Sequence, residues 1–195
     1  MATTLRAATL AFVCGIWLAT ASFAAAQTAV HLDPNHTTTN FSAKHLLIST
    51  VQGNIPVKSA SIELGENDVP TAVEAVMDMT KIDTRNQKRD DDLRSDRFLD
   101  VAQYPEMTFK STKVAPGSNG QFTMDGLLTI RGVAKPVVLS GVVNGAIKDK
   151  QGRTHVGYAA STTIDRTQFG VGADVPAAIV SDQISITIEA EAIIQ

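Results

Sequence analysis

Between residues 183 and 192 the chain alternates without a break. Ile184, Ile186, Ile188, Ala190 and Ala192 are interleaved with Gln183, Ser185, Thr187, Glu189 and Glu191. Successive side chains of a strand point to opposite faces, so this pattern buries one face and wets the other. The same period recurs in Phe122, Met124, Gly126, Leu128 and Ile130 against Thr123, Asp125, Leu127, Thr129 and Arg131. It recurs again in Val73, Ala75, Met77 and Met79. Further strands are expected at 28–33, 37–45, 51–64, 106–114, 134–148 and 153–164. Turn chemistry separates them at Gly65–Asp68, Pro116–Gly120, Arg131–Val133 and Asp149–Gly152, where Gly, Pro and Asn supply the required dihedrals. Many half-buried strands on short turns argue for an all-β, antiparallel barrel or sandwich in a single domain.

Helix is scarce. Asn86–Arg94 is the best candidate, with Thr84 or Asn86 placed to cap its first turn. A short turn is expected through 96–102, ending before Tyr104-Pro105, and a brief one after His45.

The first 26 residues read as a leader. Arg6 is their only charge, an apolar run extends from Ala7 to Phe23, and Ala24-Ala25-Ala26 offers a small-residue cleavage site before Gln27. Residues 1–26 are therefore expected to be a signal peptide and 27–195 the mature domain, with export to a periplasm. The single cysteine, Cys14, falls in the leader, so the mature domain is expected to have neither a disulfide nor a thiol nucleophile. A formal net charge of −3 without a basic patch speaks against nucleic acid. No transmembrane segment is expected in the mature chain.

The candidate chemistry is thin. Asp90-Asp91-Asp92 invites a metal, but consecutive helical residues diverge by about 100° and cannot converge on one ion. A solvated helix with ion pairs to Arg85, Lys88, Arg89, Arg94 and Arg97 fits better. His31, His36, His45 and His155 show no metal-ligand spacing, so no metal is expected. Neither a Gly-x-Ser-x-Gly elbow nor a phosphate-cradling loop is present, and no catalytic residue is nominated.

The apolar face carries the functional signal. Small residues (Ala43, Ala75, Gly126, Gly141, Gly157, Ala159, Ala190) stand among large ones at inner positions, which leaves volume that a packed interior would fill. The alternative is that helices or the 166–182 loop fill that space. Each buried methylene contributes about 0.8 kcal/mol. Association costs roughly 4–15 kcal/mol, and micromolar binding needs about 8 kcal/mol net. Apolar contact alone must then bury on the order of 15–30 methylene equivalents, which implies a long acyl or isoprenoid chain.

Several segments together resemble one family. Phe41-Ser42-Ala43-Lys44-His45-Leu46 leads into Ser49-Thr50-Val51-Gln52-Gly53. Ile82-Asp83-Thr84, Arg89-Asp90, Leu93-Arg94-Ser95, Phe98-Leu99-Asp100-Val101, Tyr104-Pro105 and Phe109-Lys110-Ser111-Thr112 follow in order. Leu128 to Val137 and Asp165-Arg166-Thr167-Gln168-Phe169-Gly170 complete the set. This order is similar to the YceI-like, lipocalin-like family of exported polyisoprenoid-binding proteins. The resemblance implies an extended eight-stranded antiparallel barrel with short helices between strands, enclosing an apolar tunnel. It implies a polyisoprenoid, isoprenoid quinone or fatty-acid derivative as ligand, no catalytic motif and no cofactor.

Strand parity places the expected ligand along Phe41, Ala43, Ile55, Met77, Met79, Phe109, Leu128, Ile130, Leu139, Ile186 and Ile188. Phe98 and Leu99 are expected to plug one end, and His45 and Arg94 to meet a head group. The partner is thus a long-chain isoprenoid or other amphiphilic lipid, with a homodimer left open. An enzyme acting on a prenyl lipid and a packed structural protein stand as alternatives.

Overall fold

The computed structural model describes residues 30–194, so the expected signal peptide lies outside the described residues. Its strands are β1 (Val30–Leu32), β2 (Thr38–His45), β3 (Ser49–Ile55), β4 (Val57–Leu64), β5 (Pro70–Asp78) and β6 (Glu106–Pro116). β7 (Gln121–Ile130), β8 (Val133–Lys148), β9 (Thr154–Asp165) and β10 (Gln183–Ile194) follow, with one α-helix, α1 (Gln87–Arg94), between β5 and β6. All ten belong to one antiparallel sheet in the order β3-β2-β10-β9-β8-β7-β6-β5-β4, with β1 pairing on β10.

Two strands are interrupted rather than separate. β1 and β2 both pair with β10, and only residues 33–37 divide them. β3 and β4 are divided by Pro56 alone, yet they form the two ends of the sheet path. Counted as continuous runs, the ten strands are the eight expected. Proline offers no N–H to a ladder, so it suits the point where one strand changes partners. Above Pro56 the strand pairs with β2, and below it with β5. The remaining edge of β3 exchanges backbone bonds with the segment before α1: Asn54 N donates to Asp83 O at 2.8 Å and Asp83 N to Asn54 O at 3.0 Å. β4 lies against β1 on its other side. The sheet thereby rolls into a barrel with its edges covered, which removes the aggregation hazard of open strands.

The alternation holds through β7 and β10, where Phe122, Met124, Leu128, Ile130 and Ile186 are buried. It slips in β4. An irregularity between Val57 and Ser59 shifts the register, so that Val57, Ala60 and Ile62 face inward together.

The expectation for small inner residues needs correction. An aromatic ring lies over each of three glycines: Phe41 over Gly53, Phe109 over Gly126 and Phe122 over Gly141. Gly126 and Gly141 therefore accommodate neighbouring rings and do not leave room for a ligand. Gly157 and Ala159 point outward, because Tyr158 and Ala160 take the inner positions of β9. Ala43, Ala75 and Ala190 do border internal space.

α1 begins where the sequence suggests, with Asn86 Oδ1 accepting from Arg89 N at 3.1 Å. Its three aspartates diverge as helical geometry requires. Asp90 is not solvated, however. It is buried and accepts from Thr84 N and Thr84 Oγ1, tying the helix to the chain before it. The residues 96–102 form turns without a regular helix.

At the barrel end away from α1, Tyr158 Oη donates to Asp68 O at 2.9 Å, and burial pushes the phenol's pKa up. Beside it the fold collects charges that the sequence scatters. His155 Nδ1 lies 2.7 Å from Glu191 Oε1, and its Nε2 lies 3.1 Å from Asp149 Oδ2. Asp149 also takes Arg153, while Asp33 and Glu191 flank His36. Glu191 first, and Asp149 next, hold the His155 imidazole above its ordinary pKa. A raised folded-state pKa stabilises the fold below the unfolded value of about 6.5 and ceases to do so as pH rises through the folded value. His155→Gln should therefore lower the melting temperature more at acidic than at alkaline pH, which melting curves at two pH values will show. Gly126→Ala would drive a methyl into the Phe109 ring and Lys110 O. It should cost about 1–3 kcal/mol in urea titration.

Candidate functional site

Two hollows lie within the barrel. The upper one, about 340 Å³, is bordered by the ends of β2, β3, β7 and β10, by α1, and by the 171–180 loop. The lower one, about 130 Å³, is bordered by β1, β2 and β4–β10 and is walled almost wholly by carbon. Thr39, Met107 and Ile186 border both and form a waist between them. The upper hollow alone is within the range of about 300–1,000 Å³ usual for small-molecule sites.

Phe41, Ala43, His45, Ile55, Met79, Phe98, Leu99, Ile130 and Ile186 border the upper hollow. Met77, Phe109, Leu128, Leu139, Ile188 and again Ile186 border the lower. Arg94 borders neither and needs correction as a head-group residue. Its Nε donates to Thr80 O and its Nη2 to Ile82 O, both at 2.8 Å, with Nη1 on Asp91. Such a guanidinium clamps the backbone before α1.

Parity reasoning on strands could not find the walls contributed by non-strand segments. Leu93 of α1 and Val171, Val175, Ile179 and Val180 of the long loop line the upper hollow. The loop is organised by Arg166, which is only 3 % exposed. Its Nε donates to Ser181 O at 3.1 Å and Nη1 to Val171 O at 2.8 Å and to Gly172 O. Nη2 donates to Val175 O at 2.8 Å, Val180 O at 3.0 Å and Asp182 Oδ1 at 2.9 Å. One guanidinium thus satisfies a cluster of buried carbonyls that a non-strand segment would otherwise leave orphaned. The Asp165-Arg166-Thr167 motif was the available signal, yet it gave no hint of that role. Thr37 Oγ1, at the lower hollow, is buried without a partner.

The rim of the upper hollow is charged. Lys44, His45, Arg89, Asp92 and Arg97 border it. Arg89 Nε donates to Thr84 Oγ1 at 2.7 Å and Arg97 Nε to Asp174 Oδ2 at 3.3 Å, while Lys44 Nζ reaches Thr50 Oγ1 at 2.8 Å. Next to this rim is the β2–β3 turn. Leu46 and Leu47 both have positive φ, 52° and 61°, and Ile48 N donates to His45 O at 3.2 Å. That is a primed hairpin turn, which favours Asn-Gly. Leucine in this region costs about 1–2 kcal/mol per residue.

A barrel of this kind, enclosing apolar hollows under a short helix and a loop, is a lipocalin-like fold. The sequence gives the family: residues 31–192 match the model of the YceI-like domain, and the chain belongs to that family. A UPF0312 protein of Vibrio parahaemolyticus is 33% identical over 137 residues, covering 70% of this chain and 72% of the relative. The Campylobacter jejuni YceI protein shares 33% identity at a TM-score of 0.69, covering 76% of this chain and 87% of that one. A polyisoprenoid-binding domain from Saccharophagus degradans, implicated in plant cell wall breakdown, shares the fold at a TM-score of 0.64 and 14% identity. It covers 86% of this chain and 99% of that one.

Arg166→Gln should destabilise the protein by about 3 kcal/mol or more, because several buried carbonyls lose their donor. Hydrogen exchange should speed up first at 171–180, ahead of the strands.

Proposed function

We propose that this protein is an exported, periplasmic carrier or store for a long-chain polyisoprenoid or isoprenoid quinone. The observation that carries the reading is the pair of adjoining apolar hollows that share Thr39, Met107 and Ile186. An extended hydrocarbon threaded through both gathers the many methylene contacts that apolar binding needs. Membership of the YceI-like family supports it, as does the likeness to a domain named for polyisoprenoid binding. The leader-like segment at 1–26 supports export. Among the described residues no helix is long and apolar enough to cross a membrane.

A binding role is favoured over catalysis by the chemistry at the hollows. The titratable groups bordering the upper one are Lys44, His45, Arg89, Asp92, Arg97 and Arg166, and Arg166 is wholly engaged with the loop. No nucleophile paired with a base stands among them. The rim cations do favour a second reading, in which the ligand is a fatty-acid derivative with an acidic head.

Native mass spectrometry of protein from its own host, followed by lipid extraction, should find a bound isoprenoid. Protein that is always empty and refuses added quinone or polyprenol would refute the proposal. Ile186→Phe narrows the waist. It should weaken octaprenyl ligands by about tenfold or more while leaving geranyl ligands, which fit the upper hollow alone, within a few-fold.

A further inference from the structure

We infer that the tip of the β2–β3 hairpin, with the adjoining 176–179 segment, is a docking surface for an anionic lipid bilayer. Leu47 is 70 % exposed and Ile48 86 %, with Leu46 at 47 % and Ile179 at 43 %. Pro176, Ala177 and Ala178 are exposed beside them, so Leu46-Leu47-Ile48 and Pro176-Ala177-Ala178-Ile179 make one patch from two segments, with no charge inside either. Isolated surface leucines are ordinary, whereas a contiguous apolar patch marks an interaction site.

The patch cannot hide by folding back. Leu46 N donates to Ile179 O at 3.0 Å, Ser181 N to Lys44 O at 2.9 Å and Lys44 N to Ser181 Oγ at 2.9 Å. His45 pairs with Val180 as an isolated bridge. The two segments are stapled together with their apolar side chains outward. Two leucines also occupy the left-handed positions of a turn that Asn-Gly would fill without strain. Backbone strain held at a side chain as exposed as that of Leu47 points to a role outside the fold.

Location and charge select the partner. Lys44, His45, Ile179 and Val180 belong both to the hollow's border and to the patch or its staple, so the patch stands at the mouth. Lys44, Arg89 and Arg97 ring that mouth on a chain of net charge −3, with Asp92 and Asp174 as counter-charges. Cations around an apolar tip match lipid headgroups above acyl chains. A protruding hairpin tip suits a soft bilayer better than a second copy, since a stable dimer buries about 800 Å² on each partner. The inference rests on the tunnel reading, because a mouth pressed to a membrane passes a water-insoluble chain without releasing it into water.

The test compares the full chain with a variant carrying Leu46→Asn, Leu47→Gly and Ile48→Ser, none of which borders a hollow. Each is sedimented with vesicles of phosphatidylcholine, alone or mixed with phosphatidylglycerol. Wild type should partition onto the mixed vesicles more than onto the neutral ones, and less at high salt. The variant should partition about tenfold less or worse. It should melt no lower than wild type and should load undecaprenol dispersed in detergent equally well. Equal sedimentation of both proteins overturns the inference, as does tip-dependent self-association without vesicle binding. Tip-dependent sedimentation by a wild type that refuses undecaprenol supports the surface while overturning the tunnel.

Discussion

A sheet with one apolar face has to cover that face, and here it does so by closing on itself at Pro56. Among the described residues, the run from Ser49 to Leu64 is the only one whose two halves serve opposite ends of the sheet path. Its upper half pairs with β2 and its lower half with β5. Without that change of partner the sheet would be open, with two unpaired edges and an exposed apolar face. Closure also fixes the interior. The strands that roll up bring Phe41, Ile130, Ile186 and Leu128 to one axis, and the hollows exist because these side chains do not meet across it.

Closure of the sheet leaves its upper end uncovered, and two guanidinium groups solve that problem in similar ways. Arg94 ties α1 to the carbonyls of Thr80 and Ile82. Arg166 gathers the carbonyls of residues 171–181 into a cap. Arg131 joins the two coverings, donating to Phe98 O at 3.0 Å and to Gly170 O at 2.9 Å. Arginine suits the task because its planar fork presents several donors in fixed directions and stays charged. Irregular backbone needs such donors where strands would satisfy one another. The upper hollow is therefore roofed by segments whose order depends on side-chain donors, and the lower one is walled by ladders.

That division explains what could be read from the sequence. Period-2 alternation is a local property, and it placed Phe122 to Ile130 and Ile184 to Ala192 on the inner face without knowledge of the partners. Parity cannot be carried through a ladder irregularity such as that at Val57 to Ser59, and it fails at Gly157 and Ala159, where Tyr158 and Ala160 hold the inner positions. Arg94 and Arg166 were opaque for another reason. A charged residue near a motif gives no sign of whether it meets a ligand or a carbonyl, because that depends on contacts with loops distant from any pattern. Glycine was misleading in the same way. Gly126 and Gly141 suggested empty volume, but the rings that cover them belong to neighbouring strands, Phe122 directly opposite Gly141 and Phe109 diagonal to Gly126, and no single segment encodes that pairing.

The hollow itself then needs an energetic reason. If the upper volume of about 340 Å³ were dry, a cavity penalty of about 24 cal/mol per Å³ would amount to about 8 kcal/mol. That is comparable with the entire stability of an ordinary domain, about 5–15 kcal/mol. Selection for stability alone would fill such a space, and it could do so with a larger residue at Ala43, as it could fill the lower hollow at Ala75 and Ala190. The polar rim lets water in at the mouth, which lessens the penalty there, but the walls toward the waist are carbon. An apolar chain entering that region restores the missing contacts and releases the water, so occupancy and stability are thermodynamically linked. The same walls that make the empty protein less stable are what would make a long hydrocarbon bind.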